Sequence, residues 1–536
     1  MSKYIFVSGG VCSSLGKGIA AATIGNLLEG SGLTVNSVKI DPYINVDAGT
    51  MNPIQHGEVY VTDDGAETDL DLGNYARFTN SDLSRDNSIT TGQVYQEVIR
   101  KEREGRFLGR TVQVIPHITD EIKQRIQRIG EREDLDVTIV EIGGTVGDIE
   151  SVPFIEAARQ FIHDFGKPHV LYIHLTLVPT VSMGELKTKP TQHSVKELLE
   201  IGIQPDILLC RCEVPLNESL KHKISLFTNV EEEAVISANN VANTIYEIPM
   251  SFEKQGLDTI IMKKLDLKPK THNKAIREWE KMINGYIKAD SLIKIGIVGK
   301  YVELHDSYKS VFEALVHGGI ANKVRVEIIK IDSEKLETGN TEALDEIDGI
   351  LVPGGFGQRG IEGMICAVQY ARTREKPYFG ICLGMQMMVI EYARNVAGLN
   401  GAHSTECEPN SPHPVISLLE EQENVKTMGG TMRLGANDSK LTKGTKIFEI
   451  YGKEKISERH RHRYEFANHY REPLIAAGLT ISGTTMDGEL VESVEWQNHP
   501  WGVGVQFHPE FKSRPDAPHP IFYRFIEECK KNAKKK

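Results

Sequence analysis

Cys382 sits in PYFGICLGMQ, directly after an apolar run and before a stretch able to start a helix, with Gly380 and Gly384 on either side. Glycines at those places permit a sharp strand-to-helix turn that presents a thiol at the carboxyl edge of a sheet. Helix-terminal N–H groups beside such a thiol favour its thiolate and can hold an oxyanion. Taken alone, Cys382 fits a small buried hydrophobe equally well, which is the usual role of a free cysteine. A second segment, GVQFHPEF, carries His508 and Glu510. Two residues apart on an extended segment, they project from one side, so Glu510 can orient the imidazole while it takes the thiol proton. The glycine-rich turn of LVPGGFGQRG follows another apolar run, and its backbone N–H groups are placed to complete an oxyanion hole.

The other end of the chain carries phosphate chemistry. FVSGGVCSSLGKGIAAATIGNLL reads as strand, glycine-rich loop and helix, which aims N–H groups and a helix N-terminus at an anion, with Lys17 to neutralise β- and γ-phosphates. The spacing departs from the Walker A pattern: five residues separate Gly10 from Gly16, and Gly18 stands where Ser or Thr would hold magnesium. Carboxylates must then supply the Mg²⁺ ligands. The candidates are Asp71, in DDGAETDLDLG, and Glu141, which closes the apolar run VTIVEIGG. Asp63, Asp64, Glu67 and Asp69 read as solvated surface.

These groups need scaffolds. Apolar runs at 4–7, 137–142, 170–175 and 207–210 alternate with helix-like stretches at 121–128 and 194–199, the pattern of a parallel sheet with helices on both faces. The polar segment 267–291 reads as an interdomain linker, after which the alternation begins again. The predicted architecture is α/β: two doubly wound α/β domains, a P-loop-like domain at 1–266 and a second at 292–536. With 536 residues, 40% hydrophobic and 25% charged, the chain is too long for one core. Its net charge of −12 argues against a nucleic acid polymer as partner. No apolar run reaches membrane-spanning length and the first residues lack signal-peptide regions, so no membrane partner and a cytoplasmic location are expected. The seven cysteines (12, 210, 212, 366, 382, 407 and 529) form no disulfide framework. Cys210 and Cys212 share a strand face and read as packing, as does Cys12. The basic tail KKNAKKK reads as a solvated end.

PGGFG, GICLGMQ and FHPE, in this order, resemble the class I glutamine amidotransferases over roughly residues 292–525. That resemblance implies that Cys382 attacks the side-chain amide of glutamine, that His508 protonates the departing ammonia, and that water clears the thioester. It also implies glutamine contacts from Gly355, Leu383, Gly384, Met385, Gln386, Glu406 and Arg463. Arg463 suits the α-carboxylate through a bidentate pair.

YIFVSGGVCSSLGKG, KIDPYINVDAGTMNPIQHGEVYVTDDGAETDLDLG, VEIGGTVGDIES and GELKTKPTQHSVKELL make the first half similar to the amidoligase half of the CTP synthase family. The resemblance implies that ATP phosphorylates the 4-oxygen of UTP, ammonia attacks C4 and phosphate leaves. Position by position, it implies ATP binding by Ser14, Leu15, Gly16, Lys17, Gly18, Ile19, Lys39, Asp71 and Val241, and Mg²⁺ at Asp71 and Glu141. It implies a UTP and feedback-CTP site from Ser13, Asp148, Ile149, Glu150, Lys187, Thr188, Lys189, Pro190, Thr191, Gln192 and Lys223. Pro53, His56 and Val59 are expected along a passage for ammonia. Asn239-Asn240-Val241 departs from the Lys-Asp-Val often found in the family, which leaves backbone recognition at Val241. GTP as allosteric activator, with Arg359 a contact, CTP as inhibitor and a homotetramer complete what is implied. The alternative is an amidoligase of the dethiobiotin or cobyrinate synthetase type, which shares the variant loop.

Overall fold

The computed structural model describes residues 2–132, 134–181, 184–271, 274–418 and 432–534; the last two lysines of the basic tail lie outside them. The chain divides into two compact units, Met1–Ala48 with Asp71–Ile283, and Gly49–Leu70 with Asn284–Lys536. The excursion 49–70, which lies inside the first domain by sequence, thus packs within the second unit. The chain passes from one unit to the other within the helix Lys274–Ile287, inside the stretch read as a linker.

The first unit is built on seven strands: β1 (Lys3–Gly9), β2 (Val35–Asp41), β3 (Ser88–Thr90), β4 (Val137–Ile142), β5 (Val170–Leu177), β6 (Ile207–Cys212) and β7 (Val235–Asn239). Their order is β7-β6-β5-β1-β4-β2-β3, and every pairing is parallel. Both faces of the sheet are covered, so all seven residues of β2 are buried, its polar Asn36, Ser37, Lys39 and Asp41 included. Helices α1 (Lys17–Gly30), α2 (Asp71–Phe78) and α3 (Lys189–Glu200) bring the candidate residues to the carboxyl ends of the strands. Order reverses beside β1, so the crevice above its end is where an open α/β sheet takes ligands.

The second unit carries a nine-stranded mixed sheet: β8 (Leu292–Gly299), β9 (Arg325–Asp332), β10 (Gly349–Val352), β11 (Tyr378–Ile381), β12 (Arg433–Leu441), β13 (Lys455–His462), β14 (Leu479–Thr485), β15 (Val491–Trp496) and β16 (Gly502–Val505). The order is β9-β8-β10-β11-β16-β15-β14-β12-β13. The first five are mutually parallel and the rest continue antiparallel. Alternate residues feed two cores. Ile350, Val352 and Tyr378 enter one, and Leu351, Phe379 and Ile381 enter the other. Each fully buried side chain of this size stabilises by roughly 1.5–3 kcal/mol. Helix α4 (Lys309–Asn322) packs against α6 (Pro520–Ala533) on the second core, while α5 (Leu383–Asn395) starts immediately after Cys382.

Candidate active sites

Cys382 joins β11 to α5 with φ 51° and ψ −102°, a left-handed conformation that a side-chain-bearing residue adopts only under constraint. The turn is closed by its N–H donating to Val505 O of β16 at 2.7 Å. A side chain at Gly384 would overlap the Val352 carbonyl, so the turn passes over β10 only with glycine there. No side chain caps α5, and its first N–H groups face the sulfur's end of the helix.

His508 and Glu510 follow β16. His508 Nδ1 lies 2.7 Å from Glu510 Oε1, and the ring stacks on Phe511 at 5.2 Å between centroids. Burial alone would lower the imidazole's pKa, but the Glu510 carboxylate and the Cys382 sulfur reverse this and raise it to about 10. The other ring nitrogen, Nε2, is buried without a formed hydrogen bond on the side where that sulfur acts. Cys382, His508 and Glu510 line one cavity with Gly354, Gly355, Phe356, Tyr301 and Arg461. Pro53 and Val59 line it too, with Glu58, whose carboxylate accepts from Ser310 N at 2.7 Å. His56 does not line it.

The glycine turn is held from both sides. Lys300 Nζ donates to Phe356 O at 3.0 Å and to Gly357 O, and Glu406 accepts from Gly357 N at 2.7 Å. Burial lowers Lys300 to about 8 against the attraction of Glu406, and burial raises the pKa of Glu406. Leu383 reaches the turn at Gly355. Gln386 instead turns its amide inward, donating to Tyr464 O at 3.0 Å and Gln506 Oε1 at 3.3 Å. Arg463 lies between β13 and the short strand Tyr464–Phe466. Arg359 pairs with Glu334 at 2.7 Å and covers the Tyr301 ring.

In the first unit the loop after β1 runs through positive φ at Val11, Ser14 and Gly16, and α1 starts without a side-chain cap. Its first N–H groups are therefore presented as an anion cradle. Lys17 Nζ donates to Gly144 O at 2.8 Å, and burial lowers its pKa although Glu141 opposes this. The missing hydroxyl at 18 has a steric cause. A Cβ on Gly18 would overlap the Asp71 carboxylate, so the carboxylate occupies the place a Ser or Thr side chain would fill.

Lys39 is buried at the centre of this cluster. Its ammonium pairs with Asp71, with Glu141 at 3.3 Å and with Asp41 at 3.6 Å. Burial and the nearby Asp71 charge raise Glu141 to about 7 in spite of Lys39, and Tyr75 donates to its second oxygen. A buried pair of carboxylates converging on one cation is a donor set that suits Mg²⁺, which takes one or two carboxylates together with phosphate oxygens and water. Among the described residues no cluster of three or more metal-ligating side chains forms a closed cage.

Ser14, Leu15, Gly16, Ile19 and Val241 line a pocket with Asn239, Ile248, Phe252 and Arg211. Sequence reasoning missed Arg211. It stands on a strand whose neighbours are packing cysteines, and only the fold brings it into this pocket, where it reaches Asn239 O at 3.2 Å and Asn240. Lys187 pairs with Glu185 at 2.6 Å, and Lys187 and Lys223 together hold that carboxyl below its usual range. Thr188 precedes α3 and accepts from Gln192 at 3.1 Å, while Thr191 donates to Leu177 O at 3.0 Å. Lys189 and Pro190 form the first turn of α3. Asp148, Ile149 and Glu150 are exposed in a turn whose Gly147 abuts Glu197 of α3, and Ser13 is exposed on the phosphate loop.

Residues 3–267 match the family model "CTP synthase N-terminus", and residues 303–528 match "Glutamine amidotransferase class-I". The chain is 59% identical over 528 residues to a CTP synthase of Carboxydothermus hydrogenoformans, covering 98% of each chain. It is 56% identical over 530 residues to that of Aquifex aeolicus, covering 99% of this chain and 98% of the other. This chain belongs to the CTP synthase family. The family's reaction is the ATP-dependent amination of UTP to CTP, with glutamine as the source of ammonia. The dethiobiotin- or cobyrinate-type alternative finds no support in these matches. Among solved structures, the glutaminase domain of Trypanosoma brucei CTPS with bound acivicin is 41% identical, covering 45% of this chain and 94% of that one, with a TM-score of 0.42. No helix among the described residues is long and apolar enough to cross a membrane.

Proposed function

We propose that the CTP synthase reaction is divided between two constellations on this chain, and that Cys382 feeds a synthetase site built on Lys17, Lys39, Asp71 and Glu141. The observation that carries it is the left-handed turn at Cys382 in one cavity with the His508–Glu510 pair. His508 takes the thiol proton and the sulfur attacks the glutamine amide carbon. The tetrahedral oxyanion meets N–H groups of the 354–357 turn and of the α5 terminus. His508 then returns the proton to the leaving nitrogen, ammonia departs, and water repeats the sequence on the thioester.

In the other constellation the loop N–H groups and Lys17 hold the ATP phosphates. Lys39 neutralises charge as the phosphoryl group moves to the uracil 4-oxygen. Mg²⁺ at Asp71 and Glu141 would neutralise the phosphates when bound. Arg211 and the backbone at Val241 hold the adenine. Lys187, Lys189 and Lys223, with Ser13, Asp148–Glu150 and Thr188–Gln192, take the triphosphate and pyrimidine of UTP or inhibitory CTP. We assign the amidoligase to 1–266 and the amidotransferase to 292–536, GTP as activator with Arg359 a contact, and a cytoplasmic homotetramer. Uniformly free thiols among the described residues suit a reducing compartment.

The test is Cys382→Ala assayed with UTP, ATP and Mg²⁺ and two nitrogen sources. Glutamine-dependent CTP formation is expected to fall by about 10³-fold or more, with ammonia-dependent formation retained. Loss of both would refute the division.

A further inference from the structure

The catalytic triad leaves one buried group at the sulfur unexplained. Gln506, on the segment between β16 and His508, is fully buried, and its Nε2 lies 3.6 Å from Cys382 Sγ. Which end of a buried amide faces a neighbour is decided by its hydrogen-bond network, and here the network has a fixed direction. The Tyr464 carbonyl can only accept, so the Gln386 group 3.0 Å from it is the NH₂. That same NH₂ reaches Gln506 at 3.3 Å, which makes the facing Gln506 atom the oxygen. The end turned to Cys382 is therefore the donor. The Gln506 backbone is tied as well, its N–H donating to Glu492 O at 2.9 Å.

We propose that Gln506 is a hydrogen-bond donor to the Cys382 sulfur, oriented by Gln386, that favours the thiolate and holds it at the mouth of the elbow. An N–H donor facing sulfur stabilises the anion over the thiol. The inference rests on the reading of Cys382 as nucleophile and adds a donor to it. The other groups facing the sulfur are His508, backed by Glu510, and the Arg461 carbonyl at 3.9 Å. The Arg461 guanidinium is engaged with Glu67 at 2.8 Å. Behind His508 lie His460 and His462, both held far below the usual imidazole range, first by burial and then by Arg433, so they add no positive charge at neutral pH. Gln506 is thus a side-chain N–H donor to the sulfur separate from His508, acting on the thiolate before it attacks the amide carbon.

The test measures carboxamidomethylation of Cys382 by iodoacetamide across pH in the full chain, with the modified peptide located by mass. Gln506→Met, close in shape but without a donor, is expected to move the reactivity midpoint upward and to slow alkylation below it about tenfold. Glutaminase kcat should fall more than KM rises, and ammonia-dependent CTP formation should persist. Gln386→Met, which leaves Gln506 in place but unoriented, should give a smaller shift in the same direction. This second variant carries the test if the first does not fold. An unchanged alkylation midpoint in the folded variants would overturn the inference. A Cys382→Ala protein that still hydrolysed glutamine would sink the nucleophile reading instead, while leaving the alkylation shift measurable.

Discussion

The two constellations solve opposite electrostatic problems. The amidotransferase unit brings one acid and one base together: Cys382 sits beside an imidazole whose pKa is raised to about 10. The amidoligase unit does the reverse. It buries Asp41, Asp71 and Glu141 around the Lys39 ammonium, with Lys17 nearby, and Glu141 is raised to about 7 first by burial and then by the Asp71 charge, against the pull of Lys39 and Lys17. Under the proposed roles, the proton-transfer site is close to neutral by itself, while the site proposed for Mg²⁺ gathers more carboxylates than ammonium groups. The backbone differs in the same sense. Backbone strain sits at one residue, Cys382, in the first case and at Val11 and Ser14 in the second.

The sharpest way to break this contrast is Lys17→Ala. It should lower CTP formation by about 10³-fold with glutamine and with ammonia alike, while glutaminase activity survives; a variant active with ammonia would remove Lys17 from phosphate transfer. Gly18→Ala tests the steric exchange of hydroxyl for carboxylate. Its Cβ displaces Asp71, and about a 10²-fold loss of synthetase rate with a raised Mg²⁺ requirement is expected. Normal Mg²⁺ dependence would show that Asp71 is no ligand.

Arg211→Ala should raise KM for ATP about tenfold, through roughly 1.4 kcal/mol of lost contact in the adenine pocket, and leave the glutamine kinetics alone. Steady-state titration of each substrate separates these effects. Glu510→Gln addresses the neutral site through stability. Because the folded imidazole's pKa is raised from about 6.5 to about 10, its contribution is fully present below pH 6.5 and is lost as pH rises through 10. The melting point of the parent should exceed that of the variant most below pH 6.5, by on the order of 3 kcal/mol in stability, and the gap should close toward pH 10. A gap that widened with pH would reverse the assignment of Glu510 as the group charging His508.

Much of the amidotransferase site is legible because its chemistry is local. His508 and Glu510 are two residues apart, and the glycines that allow the elbow flank Cys382 directly. Lys300 and Gln506 carry no such local signal. Lysine and glutamine in apolar stretches carry no spacing signal, and Gln386, expected against the substrate, spends its amide on Tyr464 and Gln506. In the amidoligase unit the gap is wider still. Lys39, Asp71 and Glu141 are joined from three separate elements, and Arg211 hides between cysteines on β6.

Local pattern alone therefore determined the two α/β halves, the phosphate loop, the elbow and the His–Glu pair, since apolar periodicity and glycine placement act over a few residues. Tertiary structure decided what depends on distant chain segments meeting. It placed the excursion 49–70 in the second unit, put the Asp71 carboxylate where a hydroxyl at 18 would stand, and gave the buried amides at Cys382 one direction. Burial is the physical reason: a carboxylate or an amide acquires its role only when the neighbours that desolvate and orient it are assembled, and those neighbours lie tens to hundreds of residues away in the chain.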